Sequence, residues 1–182
     1  MAPITIPDIT ALPRLTTGEQ TEVLDLLFEP SPALHALLVP ALSTTTYQSY
    51  DELIDTAHSI LSDLASASQT APEQRAALHA ILGSHPRLGA KKVDSAQSVA
   101  EQAKLQGSEA EAAQLAALNA EYEDTFPGLR YVVFVNGRGR PAIMQDMRRR
   151  IDRGDMMLEE QAALQAMCDI AKDRAAKLSA AA

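Results

Sequence analysis

Apolar side chains recur every three or four residues through most of this chain, which is the spacing of one face of an amphipathic helix. The pattern predicts helices over residues 17–29, 32–40, 47–65, 72–83, 95–105, 108–124, 142–152 and 155–178. Prolines and glycines mark several of the ends. Pro30 and Pro32 end the first helix and open the second, Pro40 ends the second, and Gly83 follows the fourth.

Two parts of the chain depart from the helical pattern. Residues 1–17 contain three prolines and predict an extended N-terminal arm. Tyr131–Val135 is a β-like run, and no second strand follows with which it could pair. We therefore predict an all-α fold: one domain over residues 1–182, built as a single compact bundle of about eight helices, with one extended segment lining a pocket.

Composition agrees with packed helices and narrows the class of partner. Of the 182 residues, 46% are hydrophobic and only 4% are aromatic, which suits closely packed helices better than a β-sandwich. The net charge of −8 disfavours nucleic acid. Arg148–Arg150 lies beside Asp146 and Asp152 and predicts a solvated helix face. The single Cys168 falls in an apolar helical pattern and predicts a buried thiol.

The expected location follows from segments that the sequence lacks. No apolar run approaches the ~20 residues that a membrane span needs, so no membrane partner is expected. The N-terminus has no signal-peptide pattern, and the C-terminus does not end in Ser-Lys-Leu. We expect a cytoplasmic protein, and a peroxisomal location stays open.

His85 is the first candidate for chemistry. It follows the helix end at Gly83, and Pro86 forces it into an extended conformation. Imidazole is the side chain best suited to move protons near neutral pH. The alternative is a loop histidine bonded to a carbonyl. The other histidines, His35, His58 and His79, share no metal-ligand spacing, so no metal site is predicted.

A second group of polar side chains lies shortly after His85. Ser98, Glu101 and Gln102 stand at i, i+3 and i+4 and would share one helix face. The same pattern is also a capping box, in which Glu101 would satisfy the backbone amide of Ser98. Arg174, near the end of the last helix, either complements the helix dipole or faces the same cleft.

The extended run Tyr131–Val135 also has two interpretations. Its amides and carbonyls need partners, because no sheet supplies them. It could be a buried connector bonded to side chains and water. Alternatively, its alternating donors and acceptors could bind a flat, amide-rich ligand such as a ureido or hydantoin-like ring.

Several of these motifs occur together, in order, in one known family. The motifs are His85-Pro86-x-Leu88-Gly89, Ser98-x-x-Glu101-Gln102, Leu118-Asn119-x-x-Tyr122 leading to Phe126, and Tyr131–Val135, with Leu27-Phe28-Glu29-x-Ser31-Pro32 before them and Ile170-Ala171-x-x-Arg174 after them. With these motifs the chain resembles the 2-oxo-4-hydroxy-4-carboxy-5-ureidoimidazoline (OHCU) decarboxylases over nearly its whole length. The chain departs from the family pattern at Thr125, where an arginine is usual, and Arg130 could compensate.

The resemblance implies a role for each candidate residue. His85 would be the catalytic acid, with Glu101 and Arg174 as its charged companions. Substrate would be lined by Pro86, Ser98, Gln102, Tyr131, Val132, Val133, Phe134 and Val135. The family also implies a homodimer and no cofactor.

The expected function is therefore decarboxylation of the ureidoimidazoline to (S)-allantoin in urate degradation, a branch of purine metabolism. The enzyme would be a cofactor-independent lyase with a histidine proton donor. The alternative is a non-catalytic helical module of the same fold that binds a purine-like ligand or a protein partner.

Overall fold

The chain folds into helices, as predicted. The computed structural model describes residues 5–90, 96–103 and 108–180, and within the helices it leaves the side chains at 96, 101–103 and 180 undescribed. Within these ranges there is no strand. A 3-10 helix, Ile9–Arg14, precedes α1 (Thr17–Phe28), α2 (Pro32–Thr44), α3 (Tyr50–Ser68), α4 (Pro72–Leu82), α5 (Ala96–Ala103), α6 (Glu109–Thr125), α7 (Arg140–Arg153) and α8 (Met156–Ala180).

The long C-terminal helix α8 is the element around which the others pack. It contacts α1, α3 and α4, while α6 pairs with α7 and α2 rests on α1 and α4. Buried apolar residues from these helices form one core that includes Leu24, Phe28, Ile54, Leu78, Met167 and Ala171. Residues near both ends of the chain therefore meet in the interior, where α8 contacts α1.

The prediction that Cys168 is a buried thiol is confirmed. Burial raises the pKa of this thiol to about 12.

Most helix ends lie where the sequence predicted them. Thr16 forms a capping box with Glu19, and the Ser31 hydroxyl accepts from the Leu34 amide at the start of α2. The prediction that Pro40 ends α2 is wrong, because the helix continues to Thr44. Leu38 and Leu42, on either side of Pro40, are both buried, and their packing outweighs the one backbone hydrogen bond that Pro40 removes.

Two further predictions in the N-terminal half of the chain need correction: the extended arm over residues 1–17 and the loop over residues 66–71. Residues 1–17 are not extended throughout: Asp8 accepts hydrogen bonds from the amide and the hydroxyl of Thr10 and starts the 3-10 helix Ile9–Arg14. Leu12 in this helix is fully buried, so apolar packing fixes the turn. The loop predicted over residues 66–71 starts later, because α3 runs to Ser68, whose side chain is buried.

A buried ionic cluster joins α6, α7 and α8. Glu159 is fully buried and accepts hydrogen bonds from Arg150, Arg153 and the Tyr122 hydroxyl. Arg150 Nη1 also donates to the carbonyl of Val132 at 3.0 Å. The predicted solvated face is therefore wrong for Arg150, because its guanidinium compensates a carboxylate that has no access to water.

Among the described residues, no single helix is both long enough and apolar enough to cross a bilayer. The pair Thr17–Phe28 and Pro32–Thr44 passes only when joined, across a bend of 118°.

Candidate active site

The loop after α4 places His85 in the interior. The α4 helix ends where the Gly83 amide donates to the carbonyl of His79 at 2.8 Å. Further along, Asn119 Nδ2 of α6 donates to the carbonyl of Leu88 at 3.0 Å. The Arg87 guanidinium also bonds both carboxylate oxygens of Glu123 on α6. The loop residues that follow His85 are therefore fixed to α6. His85 itself is buried, with an exposed fraction of 5%.

The His85 ring is buried without a hydrogen bond at Nε2. No partner for this nitrogen exists among the described residues, and no described carbonyl bonds the ring. The alternative of a loop histidine satisfied by a carbonyl therefore has no support. A buried polar atom without a partner costs free energy, which makes Nε2 a candidate contact for a ligand.

Burial also sets the protonation state of His85. Its pKa is lowered to about 4, first because burial penalises the imidazolium and second because the Arg174 cation is near. Glu29 acts in the opposite direction and raises the same pKa. The imidazole of the ligand-free protein is therefore neutral at neutral pH.

Arg174 faces the site from α8 and is only 2% exposed. Its Nη2 donates to Glu29 Oε1 at 2.7 Å and to Ser98 Oγ at 3.0 Å, and its Nη1 lies 3.5 Å from the Leu27 carbonyl. Interaction with the helix dipole is not sufficient to explain these contacts. The arginine joins α8 to the end of α1 and to α5.

Ser98 lies inside α5 and does not cap it. Its hydroxyl donates to Glu29 Oε1 at 2.5 Å, and its residue is 3% exposed. The capping-box interpretation is therefore wrong for Ser98. Glu101 and Gln102 lie one turn further along α5, but their side chains fall outside the described part of the structure.

Glu29 is the site residue that sequence reasoning missed. It is 3% exposed and receives hydrogen bonds from both Ser98 and Arg174. Its φ of 90° is rare for a residue with a side chain and indicates a strained backbone. Burial raises the Glu29 pKa, but the Ser98 hydrogen bond and the Arg174 cation outweigh it, and the net pKa is lowered. A carboxylate directly after Leu27-Phe28 and before Pro30 was the available signal.

The extended segment Tyr131–Val135 is unpaired, as predicted, but its carbonyls are largely used within the protein. Arg150 binds the Val132 carbonyl, and the Arg138 guanidinium bonds the carbonyls of Phe134 and Val135. The amides of Tyr131–Val135 make no hydrogen bond to any described residue. The segment could therefore bind a ligand mainly through its amide donors. The alternating donors and acceptors that were expected are not all available.

The described contacts join part of the predicted site. His85, Ser98 and Arg174 come together around Glu29, and Pro86 adjoins His85. No hydrogen bond among the described residues joins Tyr131–Val135 to these side chains, and the Tyr131 hydroxyl donates to Asp146 instead. In the described ranges, no group of three His, Cys, Asp or Glu side chains could hold a metal ion.

The position that departs from the family pattern lies outside this group. Thr125 Oγ1 donates to the carbonyl of Glu121 within α6. The side chain of Arg130 is exposed.

The lowered His85 pKa has a consequence for stability. The unfolded chain binds a proton at His85 near pH 6.5, whereas the folded protein does so only near pH 4. Between pH 6.5 and pH 4 the unfolded state therefore binds a proton that the folded state does not. The free energy of unfolding is unaffected by His85 above pH 6.5 and falls by about 1.4 kcal/mol per pH unit as the pH drops toward 4. The measurement is urea unfolding between pH 7.5 and 4.5 for the wild type and His85→Gln. We expect the wild type to lose stability faster, and parallel curves would contradict the shift.

The sequence was compared with known proteins and protein families. In the comparison with curated proteins, no sequence matches this chain. The family model described as OHCU decarboxylase matches residues 13–176, which include His85, Ser98 and Arg174 as well as Glu29. This match over most of the chain shows that it belongs to the OHCU decarboxylase family, whose carboxy-lyase reaction is a decarboxylation in urate degradation.

Proposed function

We propose that this protein decarboxylates 2-oxo-4-hydroxy-4-carboxy-5-ureidoimidazoline to (S)-allantoin. The observation that carries the proposal is the buried imidazole of His85, which has no described partner at Nε2 and lies in the field of the Arg174 cation. A desolvated, fixed imidazole is suited to proton transfer, and a buried cation attracts an anionic substrate.

Each predicted site residue has a role in this proposal. His85, Glu101 and Arg174 are the catalytic residues: His85 moves the proton, Arg174 attracts the substrate anion, and Glu101 orients the hydroxyl or ureido end. Pro86, Ser98, Gln102 and the segment Tyr131–Val135 bind the ring. Because the Ser98 proton is directed at Glu29, Ser98 would accept a hydrogen bond from a ureido N–H. The amides of Tyr131–Val135 would donate to substrate carbonyls.

The reaction needs no electron sink other than the substrate ring. When the carboxylate leaves as carbon dioxide, the electron pair of the broken C–C bond forms a C=C bond to the ureido-bearing carbon, and the π pair of the adjoining C=N bond moves onto the ring nitrogen. The product of this step is an enol-like intermediate whose neighbouring carbon bears the ureido group. A proton from solvent neutralises the ring nitrogen. No cofactor is therefore expected.

The neutral state of His85 determines the order of proton transfers. A neutral imidazole cannot donate a proton to carbon without first receiving one. We propose that it takes the proton of the enol hydroxyl, which becomes the ring carbonyl, and delivers it to one face of the ureido-bearing carbon. Delivery to a single face fixes the (S) configuration. A positioned group of this kind contributes about 10²–10⁴-fold in rate.

The test is to generate the ureidoimidazoline in situ by enzymatic oxidation and hydration of urate, and to follow circular dichroism and carbon dioxide release. We expect rapid release of carbon dioxide and accumulation of a single enantiomer of the product. Its configuration is assigned by comparison with authentic (S)-allantoin. Binding of the substrate without carbon dioxide release would favour the alternative of a non-catalytic module. In the proposed function the protein acts as a homodimer, as the family resemblance implies.

A further inference from the structure

One carboxylate links three helices at the proposed site. Glu29 Oε1 accepts from Ser98 Oγ of α5 at 2.5 Å and from Arg174 Nη2 of α8 at 2.7 Å. Its own backbone lies between α1 and α2, with φ at 90°. All three residues are at most 3% exposed. Their positions are therefore mutually determined, and moving the carboxylate would remove one hydrogen bond from each of its partners.

Two charged groups act on His85 among the described residues. Arg174 reaches it from α8 and Glu29 reaches it from the turn between α1 and α2, with opposite effects on the imidazolium. The side chain of Glu101 on α5 is not described. In a buried site, charges interact more strongly than in water, so an uncompensated Arg174 would oppose any proton on His85.

We propose that Glu29 is a positioning residue, which holds Arg174 and Ser98 in the site and balances the Arg174 charge so that His85 can carry a proton during turnover. The inference rests on the proposed function, in which His85 is protonated transiently. Glu29 needs no contact with the substrate for this role. Its two hydrogen bonds aim Arg174 and direct the Ser98 proton away from the ligand.

The strained backbone at Glu29 agrees with a functional role. A non-glycine residue at positive φ is strained and persists only where the surroundings fix it. Pro30 follows immediately and restricts the conformation further. This geometry turns the Glu29 side chain into the interior at the point where α1 stops, toward α5 and α8.

The first experiment measures turnover in Glu29→Gln, which keeps the shape of the side chain and removes its charge. We expect kcat to fall about tenfold, which corresponds to a His85 pKa lowered by about one unit. KM should change less than about twofold. Glu22→Gln is the matched control, because Glu22 is exposed on α1, the helix that Glu29 follows, and its replacement changes the net charge equally. Unchanged kcat in Glu29→Gln, or a rise in KM alone, would overturn the proposal.

The second experiment needs no activity. NMR titration of the His85 imidazole in the ligand-free protein would compare Arg174→Gln with the double variant Glu29→Gln/Arg174→Gln. With only Glu29 left, the His85 pKa should rise above its value of about 4. With both charges removed, it should fall back. Equal pKa values in the two variants would show that Glu29 exerts no charge effect on His85.

The two experiments separate the proposals from each other. If the wild type does not decarboxylate the ureidoimidazoline, the proposed function fails while the titration still decides the effect of Glu29. A folding defect in Glu29→Gln is detected by thermal unfolding. In that case the titration decides the proposal, because it uses Glu29→Gln only together with Arg174→Gln, and removing both members of a buried ion pair is better tolerated than removing one.

Discussion

Replacement of His85 by alanine is expected to slow decarboxylation by about 10²–10⁴-fold and to abolish the optical activity of the product. The imidazole is the group that the proposed reaction uses to deliver a proton to one face of the intermediate. Without it, protonation comes from water on either face, and the product becomes racemic. Circular dichroism and carbon dioxide release, recorded on the same sample, measure the stereochemistry and the rate separately.

His58→Ala is the matched control for this experiment. His58 lies on α3, and its described hydrogen-bonding contact is a long one, 3.5 Å, to the Ser62 hydroxyl. We expect wild-type rate and product from this variant. Optically active allantoin formed at the wild-type rate by His85→Ala would remove His85 from the mechanism.

Replacement of Arg150 by methionine is expected to have the largest effect on folding. The change leaves the Glu159 carboxylate fully buried, with Arg153 and the Tyr122 hydroxyl as its remaining partners among the described residues. Breaking a buried ion pair on one side typically costs about 3–5 kcal/mol. The Val132 carbonyl also loses its guanidinium donor. Urea denaturation measures the resulting loss in the free energy of unfolding.

Arg149→Met provides the comparison for Arg150→Met. The neighbouring Arg149 side chain is 64% exposed, and its ion pair with Asp146 is a surface contact. Exposed pairs contribute about 0–1 kcal/mol, so this variant should unfold almost like the wild type. The double variant Arg150→Met/Glu159→Gln should recover part of the stability. Similar losses in Arg149→Met and Arg150→Met would show that the buried cluster contributes no special stability.

The helices were predictable because their signals are local. Pro72 and Gly83 bound α4, and Thr16 with Glu19 forms the capping box of α1. The error at Pro40 arose from a force that is not local: Leu38 and Leu42 pack into the core, and their burial carries the helix past the proline. The same holds for Leu12, whose burial turns part of the predicted arm into a 3-10 helix.

The site was predictable only in part for a similar reason. His85 stands out by its position next to Pro86, and the family resemblance pointed to Arg174. The role of Glu29 depends on partners 69 and 145 residues away in sequence, which no local pattern reveals. Arg150 was wrongly predicted to lie on a solvated face, because nothing in a run of three arginines shows which of them is buried.

The ion pair between Glu29 and Arg174 also affects how the protein is made. Because 145 residues separate the two partners, Glu29 leaves the ribosome well before α8 has been synthesised. At bacterial or eukaryotic elongation rates of about 5–20 residues per second, the delay is on the order of 10 s. During that time the N-terminal helices lack the cation that compensates this carboxylate and the helix that covers their apolar faces. The nascent chain is therefore exposed to chaperones and proteases until its last helix docks, and the reactive centre is completed in that same step.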